Sequence, residues 1–217
     1  MSKRIMCFGD SLTWGWIPMA EGVPTERYPF QTRWTGQMMA ALGDGYEVVE
    51  EGLSGRTTNV DDPTDPRLNG AEYLPSALAT HLPLDLVIIM VGTNDTKSHL
   101  HRTPFDIAAG MSILLGQIAT SAGGVGTSYP APATLLLAPP PVADRPNPWF
   151  AELFADGPAK SAELGRLYKA LAEFMGVGFL DVGQLITTDG VDGIHWTPEN
   201  NEVVGKAVAE KVREILG

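Results

Sequence analysis

Three side chains could together carry out nucleophilic catalysis. Ser11 follows an apolar run at residues 4–8 and a glycine, so it can stand exposed on a tight turn between a strand and a helix. A serine hydroxyl is a weak nucleophile at neutral pH and needs a neighbouring base. His195 is the candidate base, and Asp192, three residues earlier, can hold the imidazole in one tautomer. These residue types predict acyl transfer through a covalent serine intermediate.

Two further residues could stabilise the charge that develops on a substrate carbonyl oxygen. Attack by serine produces an oxyanion, which needs hydrogen-bond donors already in place. The backbone N–H groups of Ser11 and Gly55 and the side-chain amide of Asn94 are the candidates. Taken singly, Ser11 could instead be a helix N-cap, Asn94 a turn residue and His195 a helix-start residue bonded to backbone.

The hydrophobic pattern predicts five strands that alternate with helices. The predicted strands are residues 4–8, 46–49, 85–91, 134–138 and 177–182. The apolar run within residues 85–91 shows no alternation, which indicates burial on both faces of a parallel sheet covered by helices. The chain is therefore predicted to form a three-layer α/β/α sandwich with right-handed crossovers.

Capping signals and helical spacing predict where the helices lie. Thr103 with Pro104 and Asp106 predicts a helix start with a capping box, and Thr197-Pro198 predicts the start of the last helix. The other predicted helices are residues 34–42, residues 74–81, and a long helix that reaches Met175, in two pieces around Gly157-Pro158.

The candidate catalytic residues all follow strand ends. Ser11 follows the first predicted strand, Gly55 the second, Asn94 the third, and Asp192 and His195 the fifth. The carboxyl ends of parallel strands meet at one edge of the sheet, where ligands bind in open α/β folds. Polar residues without a shared function would be scattered over both edges. Their common placement therefore favours a serine hydrolase site over separate structural explanations.

Composition limits the other possibilities. The chain has 217 residues, 44% hydrophobic and 19% charged, which predicts one folded domain over residues 1–217. A net charge of -11 without a cluster of Lys and Arg argues against a nucleic-acid partner. The longest apolar run is interrupted by Pro83 and Asp85, so no membrane span is predicted. The N-terminal residues lack the apolar segment of a secretory signal, which predicts a cytoplasmic location.

Two clusters of metal-ligating residue types have simpler explanations. Asp61, Asp62 and Asp65 lie among Asp-Pro turns without calcium-binding spacing, so a turn is favoured over a metal site. His99 and His101 lack carboxylate or thiolate companions at a suitable spacing, which favours a surface or interface role. No metal site is predicted.

Four short motifs resemble the conserved blocks of the SGNH, or GDSL, hydrolase family. They are Gly9-Asp10-Ser11-Leu12, Gly55 within Leu53-Ser54-Gly55-Arg56, Gly92-Thr93-Asn94-Asp95, and Asp192-Gly193-Ile194-His195. Longer runs at residues 10–16, 61–70 and 189–195 resemble the bacterial aryl esterase and acyltransferase branch of that family. The similarity extends over essentially the whole chain.

This resemblance implies a fold and an activity. The fold would be a flavodoxin-like five-stranded parallel sheet in the order 2-1-3-4-5, and the triad would be Ser11, Asp192 and His195. Members of the branch hydrolyse short-chain and aryl esters, and they also transfer the acyl group to alcohols or hydrogen peroxide. The resemblance implies no cofactor. The expected partners are a small ester, an alcohol or water as acceptor, and further copies of the chain in a homo-oligomer, with an octamer as the expected assembly.

Five residues are expected to bind substrate because they are near the triad in sequence or by analogy with the family. They are Trp14, Trp16, Lys97, Phe174 and Ile194. An apolar, aromatic pocket would favour the acyl or aryl part of a neutral ester and would disfavour bound water. We hypothesise that such a pocket promotes acyl transfer, because an alcohol enters it more readily than water does. Ordinary core packing is the alternative explanation for each aromatic residue.

Three other functions remain open from the sequence. A carbohydrate O-deacetylase could use the same triad but would need a polar, open groove. A lysophospholipase or acyl-thioester hydrolase would need a longer apolar tunnel. A non-catalytic, flavodoxin-like binding module could keep the fold without the chemistry, although every catalytic element is present. The long loops at residues 13–32 and 139–150 are predicted to pack on the site or on a neighbouring subunit.

Overall fold

A five-stranded parallel sheet forms the centre of the molecule. The computed structural model describes residues 2–188 and 191–217. The strands are β1 (Lys3–Gly9), β2 (Tyr46–Gly52), β3 (Leu86–Met90), β4 (Ala133–Ala138) and β5 (Gly178–Asp181). Their order is β2-β1-β3-β4-β5, and every pairing is parallel. The predicted sheet type and strand order are confirmed, although β2 continues three residues beyond its predicted end.

Helices cover both faces of this sheet. The helices in the described part of the chain are α1 (Ser11–Trp14), α2 (Trp34–Leu42), α3 (Gly70–His81), α4 (Pro104–Ala119), α5 (Pro148–Leu153), α6 (Gly157–Ala162), α7 (Leu164–Met175) and α8 (Pro198–Leu216). Short 3-10 turns lie at Asn94–Thr96, Ser98–Leu100 and Val182–Gln184. None of the described helices is both long enough and apolar enough to cross a membrane.

Two separate apolar cores make the molecule three-layered. One core joins the sheet to α3, α4 and α7, with Leu78, Met111 and Tyr168 among its buried side chains. The other joins the opposite face to α2 and α8 through side chains such as Trp34 and Val208. The predicted α/β/α sandwich is therefore confirmed.

The central strand β3 shows why its sequence lacks alternation. All five of its residues are buried. Val87 and Ile89 belong to the core beneath α3, α4 and α7, whereas Leu86, Ile88 and Met90 belong to the core beneath α2 and α8. Burial of each such side chain contributes about 1.5–3 kcal/mol. Both faces therefore require apolar residues.

The helix starts with clear capping signals are also confirmed. The Thr103 side chain accepts the N–H of Asp106, and the Asp106 carboxylate accepts the N–H of Thr103, so both halves of the capping box form before α4. The Thr197 hydroxyl accepts the N–H of Asn200 at the start of α8. Because these caps are local in sequence, they are readable without tertiary information.

Helix α3 begins four residues before its predicted start at Leu74. Asn69 caps it by accepting the N–H of Ala71 (3.1 Å). Pro75 lies inside the helix and has no N–H for the carbonyl of Ala71, which accepts Gln117 Nε2 instead (2.9 Å). The replacement comes from α4, so the sequence around Pro75 alone does not reveal it.

Candidate active site

Ser11, His195 and Asp192 form a continuous chain of hydrogen bonds at the carboxyl edge of the sheet. His195 Nε2 lies 2.9 Å from Ser11 Oγ, and His195 Nδ1 lies 2.7 Å from Asp192 Oδ2. All three residues are buried. These distances suit a nucleophile, its base and an orienting carboxylate. The arrangement can move the serine proton to histidine and stabilise the resulting imidazolium.

The turn after β1 places Ser11 at the first position of α1. Asp10 caps this short helix, because its Oδ1 accepts the N–H of Leu12 (3.0 Å). A Cβ on Gly9 would lie 2.1 Å from Thr13 Oγ1, so position 9, two residues before the serine, favours glycine. The requirement for a small residue followed by a cap explains why Gly-Asp precedes the serine.

The loop that carries His195 is held by the carboxylate that orients it. Asp192 Oδ1 accepts the N–H groups of Ile194 (2.9 Å) and His195 (2.8 Å). Burial alone would raise the pKa of Asp192, but the hydrogen bonds and charge of His195 and the N–H of Ile194 hold that pKa below its ordinary value. Gly193 has φ of 78°, and a Cβ there would lie 2.1 Å from the carbonyl oxygen of Asp144. Asp192 therefore remains ionised in a loop that needs glycine at its second position.

Gly55 follows β2 in a turn with a free N–H group. The N–H of Arg56 donates to the carbonyl of Leu53 (3.1 Å), which closes the turn. Gly55, at the third position, has φ of 91°, a conformation that favours glycine. Among the described residues, no hydrogen bond uses the N–H of Ser11 or Gly55 as donor. Both groups are available to an oxyanion.

Asn94 follows β3 and begins a 3-10 turn. Its Nδ2 donates to the carbonyl of Arg56 (3.1 Å) and to Asp10 Oδ2 (3.3 Å). The two contacts fix the orientation of the amide beside the triad. An oxyanion is a strong, charged acceptor and can take over the longer of the two contacts.

Asp10 is a buried carboxyl group behind the nucleophile with an unusual pKa. Burial raises the pKa of Asp10 to about 7, although the N–H of Leu12 and the charge of Arg56 lower it, and the nearby Asp95 carboxylate raises it further. Burial likewise raises the pKa of Asp95 to about 6. Ionising Asp10 above neutral pH therefore costs folding free energy.

Replacing Asp10 with Asn is expected to change how stability depends on pH. The folded state retains a proton on Asp10 up to about pH 7, whereas the unfolded chain releases it near 3.8. The wild-type free energy of unfolding therefore loses roughly 4 kcal/mol from this group as the pH rises through that window. Asn cannot ionise, and its Oδ1 can keep the cap on Leu12.

Urea unfolding at about pH 4 and about pH 8 measures this effect. The stability of Asp10→Asn relative to wild type should be several kcal/mol higher at the upper pH than at the lower one. Asp44→Asn, at an exposed carboxylate, is the control and should show a difference near zero. A relative stability of Asp10→Asn that does not change with pH would contradict the raised pKa.

The triad opens into a cleft of about 390 Å³. Its apolar lining consists of Trp16, Leu68, Phe150, Leu153, Phe154 and Ile194. Its polar lining, besides Ser11, Gly55, Asn94 and His195, consists of Ser54, Thr64, Asp65 and Lys97. This volume and mixture are typical of a site for a small organic molecule.

Trp16 covers the catalytic base. Its ring stacks on the His195 imidazole, with centroids 4.9 Å apart and planes 17° apart. The N–H of Trp16 donates to the carbonyl of Ser11 (3.1 Å), and Trp16 also forms an isolated bridge with Arg27. This main-chain bond ties residue 16 to the turn that carries the nucleophile, and the stacked ring covers one face of the imidazole.

Trp14 and Phe174 do not line the cleft, contrary to the prediction. Trp14 is not among the lining residues, and its ring lies 6.3 Å from the Trp16 ring and 5.6 Å from the Arg27 guanidinium. Phe174 is 86% exposed on α7, whereas Tyr168 on the same helix is fully buried. The separation of six positions corresponds to a rotation of about 240° around the helix, so Phe174 cannot share the buried face.

Helix α5 supplies one side of the cleft, which was not predicted from the sequence. Phe150, Leu153 and Phe154 lie at positions i, i+3 and i+4, so they share one side of this helical turn and reach the cleft together. Asn147 caps the helix by accepting the N–H of Phe150 (3.3 Å). The Asn-Pro start and the apolar spacing were both visible in the sequence. The segment at residues 139–150 was predicted only as a loop.

Lys97 lines the cleft and is bound by a buried carboxylate. Its Nζ donates to Asp62 Oδ2 (2.8 Å), and the Asp62 side chain is fully buried. The N–H of Asp65 donates to the carbonyl of Asp62 (3.1 Å), which confirms the predicted turn. His99 is exposed, as predicted, and its Nε2 also lies 3.3 Å from Asp62 Oδ1. No cluster suited to a metal ion occurs within residues 2–188 and 191–217.

Comparison with known proteins identifies the family. The model of the GDSL-like lipase/acylhydrolase family matches residues 7–203. The chain belongs to this family. Among solved structures, this GDSL-family chain is similar to the native aryl esterase of M. smegmatis, with 64% identity, a TM-score of 0.97, and coverage of 99% of this chain and 100% of that one.

Two further structures are similar over nearly the full length. Est24, a carbohydrate acetylesterase from Sinorhizobium meliloti, is 61% identical with a TM-score of 0.97, covering 99% of this chain and 100% of that one. A carbohydrate acetylesterase family member from the same organism is 39% identical with a TM-score of 0.91, covering 99% of each chain. Comparison with curated proteins gave no match. The chain is therefore an enzyme, a serine hydrolase of the GDSL family.

Proposed function

We propose that this hydrolase is an esterase that cleaves short-chain or aryl carboxylic esters through an acyl-enzyme on Ser11. The observation that carries the proposal is the hydrogen-bonded chain from Ser11 to His195 (2.9 Å) and from His195 to Asp192 (2.7 Å). The 64% identity with an aryl esterase supports the same substrate class.

Acylation begins when Ser11 Oγ attacks the carbonyl carbon of the ester and its proton passes to His195 Nε2. The carbonyl oxygen becomes an oxyanion, which accepts the N–H groups of Ser11 and Gly55 and the amide of Asn94. Asp192 stabilises the imidazolium at this stage. Collapse of the intermediate breaks the bond to the alkoxy oxygen, and His195 returns the proton to it. The alcohol or phenol leaves, and the acyl group remains on Ser11.

Deacylation repeats these steps with a new acceptor. Water produces the carboxylic acid, an alcohol produces a new ester, and hydrogen peroxide produces a peracid, each after losing a proton to His195. We propose that alcohols and hydrogen peroxide act as acceptors beside water. The apolar lining supports alcohols as acceptors because it favours the carbon chain of an alcohol, and the stacked Trp16 covers one face of the base.

The dimensions of the cleft favour short acyl groups. A lysophospholipase or thioesterase would need a long apolar tunnel. The cleft of about 390 Å³ instead has polar groups at Ser54, Thr64 and Lys97 within its lining. Burying a long hydrocarbon chain against these groups would leave their hydrogen bonds unmade.

A carbohydrate O-deacetylase is the second candidate function, and the polar lining favours it. Ser54, Thr64 and Lys97 offer hydroxyl and ammonium groups that can bind sugar hydroxyls. One of the similar structures is a carbohydrate acetylesterase, and another is a member of that family. Both candidates share the triad and a short acyl group, so they differ in the alcohol part of the ester.

A fluorophosphonate probe tests the proposed nucleophile. We expect a covalent adduct on Ser11, located by mass spectrometry, and none in Ser11→Ala. Ser76→Ala, at an exposed position on α3, is the matched control and should label normally. With p-nitrophenyl acetate, the labelled protein should lose activity, and added alcohol should divert the acyl group from acetate to a new ester. Folded wild-type protein that remains unlabelled at Ser11 would overturn the proposal.

A further inference from the structure

The polar lining of the cleft contains two groups with hydrogen-bonding capacity to spare. Ser54 Oγ is buried and has no hydrogen-bond partner among the described residues. Lys97 Nζ has three N–H groups and donates to one acceptor in the same part of the chain, Asp62 Oδ2. Both residues line the catalytic cleft. Buried polar groups are nearly always paired, so this arrangement points to an acceptor on a ligand.

Asp62 holds the Lys97 ammonium at the cleft. Its Oδ2 accepts Lys97 Nζ, and its Oδ1 accepts both the N–H (3.0 Å) and the hydroxyl (2.6 Å) of Thr64. Burial alone would raise the pKa of Asp62, but the donors from Lys97 and Thr64 outweigh burial and hold that pKa well below its usual range. The carboxylate is therefore an anion at every working pH, and the ammonium has a fixed anchor.

Stabilisation of the fold alone does not explain why Asp62 and Lys97 form a buried ion pair. Buried ion pairs add little stability compared with apolar residues of the same size. Here the Lys97 end of the pair lines the cleft that contains the triad, and Ser54 lines the same cleft. An ammonium held in that position can discriminate between substrates. A ligand without an acceptor oxygen would leave this buried donor unpaired, and it would therefore bind less tightly.

The acceptor belongs to the alcohol part of the ester. The carbonyl oxygen of a bound ester is taken by the N–H groups of Ser11 and Gly55 and by the amide of Asn94. A short acyl group such as acetyl has no other oxygen. Any further oxygen that meets Lys97 and Ser54 must therefore come from the alcohol.

We propose that Lys97 and Ser54 bind an oxygen on the alcohol part of the ester, with Asp62 as the positioning residue. The preferred substrates are then short-chain esters of polyols or sugars, ahead of esters of plain alcohols of the same size. This inference rests on the proposed esterase function of Ser11 and specifies its substrate class.

Two isosteric esters test the preference directly. 2-Hydroxyethyl acetate and n-propyl acetate differ only by a hydroxyl in place of a methyl group, and release of acetate gives kcat/KM for each. We expect wild type to favour the hydroxyethyl ester by roughly tenfold or more. The ratio of the two kcat/KM values should fall towards one in Ser54→Ala and in Lys97→Met. Asp62→Asn should lower the same ratio, whereas a merely structural role would lower both rates and leave the ratio unchanged.

Matched substitutions outside the cleft provide the controls. Ser76→Ala and Lys169→Met alter exposed residues on α3 and α7, and they should keep the wild-type ratio. Lys97→Met leaves a buried carboxylate unpaired, so if that variant does not fold, Ser54→Ala and Asp62→Asn decide the question. Failure of wild type to cleave either ester would overturn the esterase proposal itself. Cleavage of both esters with a ratio near one, or a ratio unaffected by the cleft variants, would overturn only the inference about substrate class.

Discussion

Replacing His195 with alanine should lower kcat for a short-chain ester by about 10⁶-fold. His195 Nε2 is 2.9 Å from Ser11 Oγ and is the only base placed to receive its proton among the described residues. The same nitrogen must also return a proton to the departing alcohol. Without the imidazole, both transfers fall to water, and the remaining acceleration comes from the oxyanion donors and from substrate binding.

Steady-state kinetics on p-nitrophenyl acetate would measure this loss. KM should change far less than kcat, because the removed interaction acts in the transition state. His81→Ala is the matched control, since His81 lies outside the cleft and pairs with Glu51, and it should retain nearly full activity. A His195→Ala protein that keeps more than about one per cent of wild-type kcat would show that another group acts as the base.

Replacing Asp192 with Asn should lower kcat by about 10⁴-fold, although the side chain keeps its shape. Asp192 Oδ1 is fixed by the N–H groups of Ile194 and His195, and an asparagine oxygen would occupy the same place. Its NH₂ group would then face His195 Nδ1 and donate to it. This forces the imidazole proton onto Nε2, where the base must be free to accept the proton of Ser11.

The two bonds from Asp192 Oδ1 to backbone N–H groups make this prediction specific. They predict a folded protein with unchanged loop geometry, so circular dichroism and thermal unfolding should resemble wild type while kcat collapses. Asp156→Asn, at an exposed position before α6, is the control for loss of a carboxylate and should be fully active. A loss of less than tenfold in Asp192→Asn would mean that the tautomer of His195 is set by another group.

The sequence predicted those features whose causes are local. The unbroken apolar run in β3 predicted burial on both faces, and the pairs Thr103-Pro104 and Thr197-Pro198 predicted the starts of α4 and α8. The triad could be predicted for the same reason, because Asp192 and His195 share one loop and Ser11 lies at the end of a strand. Parallel topology then brings these ends to one edge without detailed knowledge of packing.

Features that depend on contacts between residues distant in sequence could not be predicted from the sequence. The ion pair of Asp62 and Lys97 joins residues 35 positions apart, and no periodicity predicts it. Phe174 was misplaced because apolar character alone does not fix the rotational phase of α7. The side of the cleft formed by α5 was missed because a helix of six residues gives too little periodicity to stand out from a long loop.

The separation of 184 residues between Ser11 and His195 also has a consequence during protein synthesis. At typical rates of about 5–20 residues per second, the ribosome needs roughly 10–40 s to reach the base after it has made the nucleophile. During that interval β1 can leave the ribosome and begin to pair with β2, but Ser11 has no partner to activate it. A nascent chain, or one cut short by premature termination before His195, is thus a catalytically silent product. Turnover of an ester therefore shows that translation has passed the last strand and that the loop carrying His195 has reached Ser11.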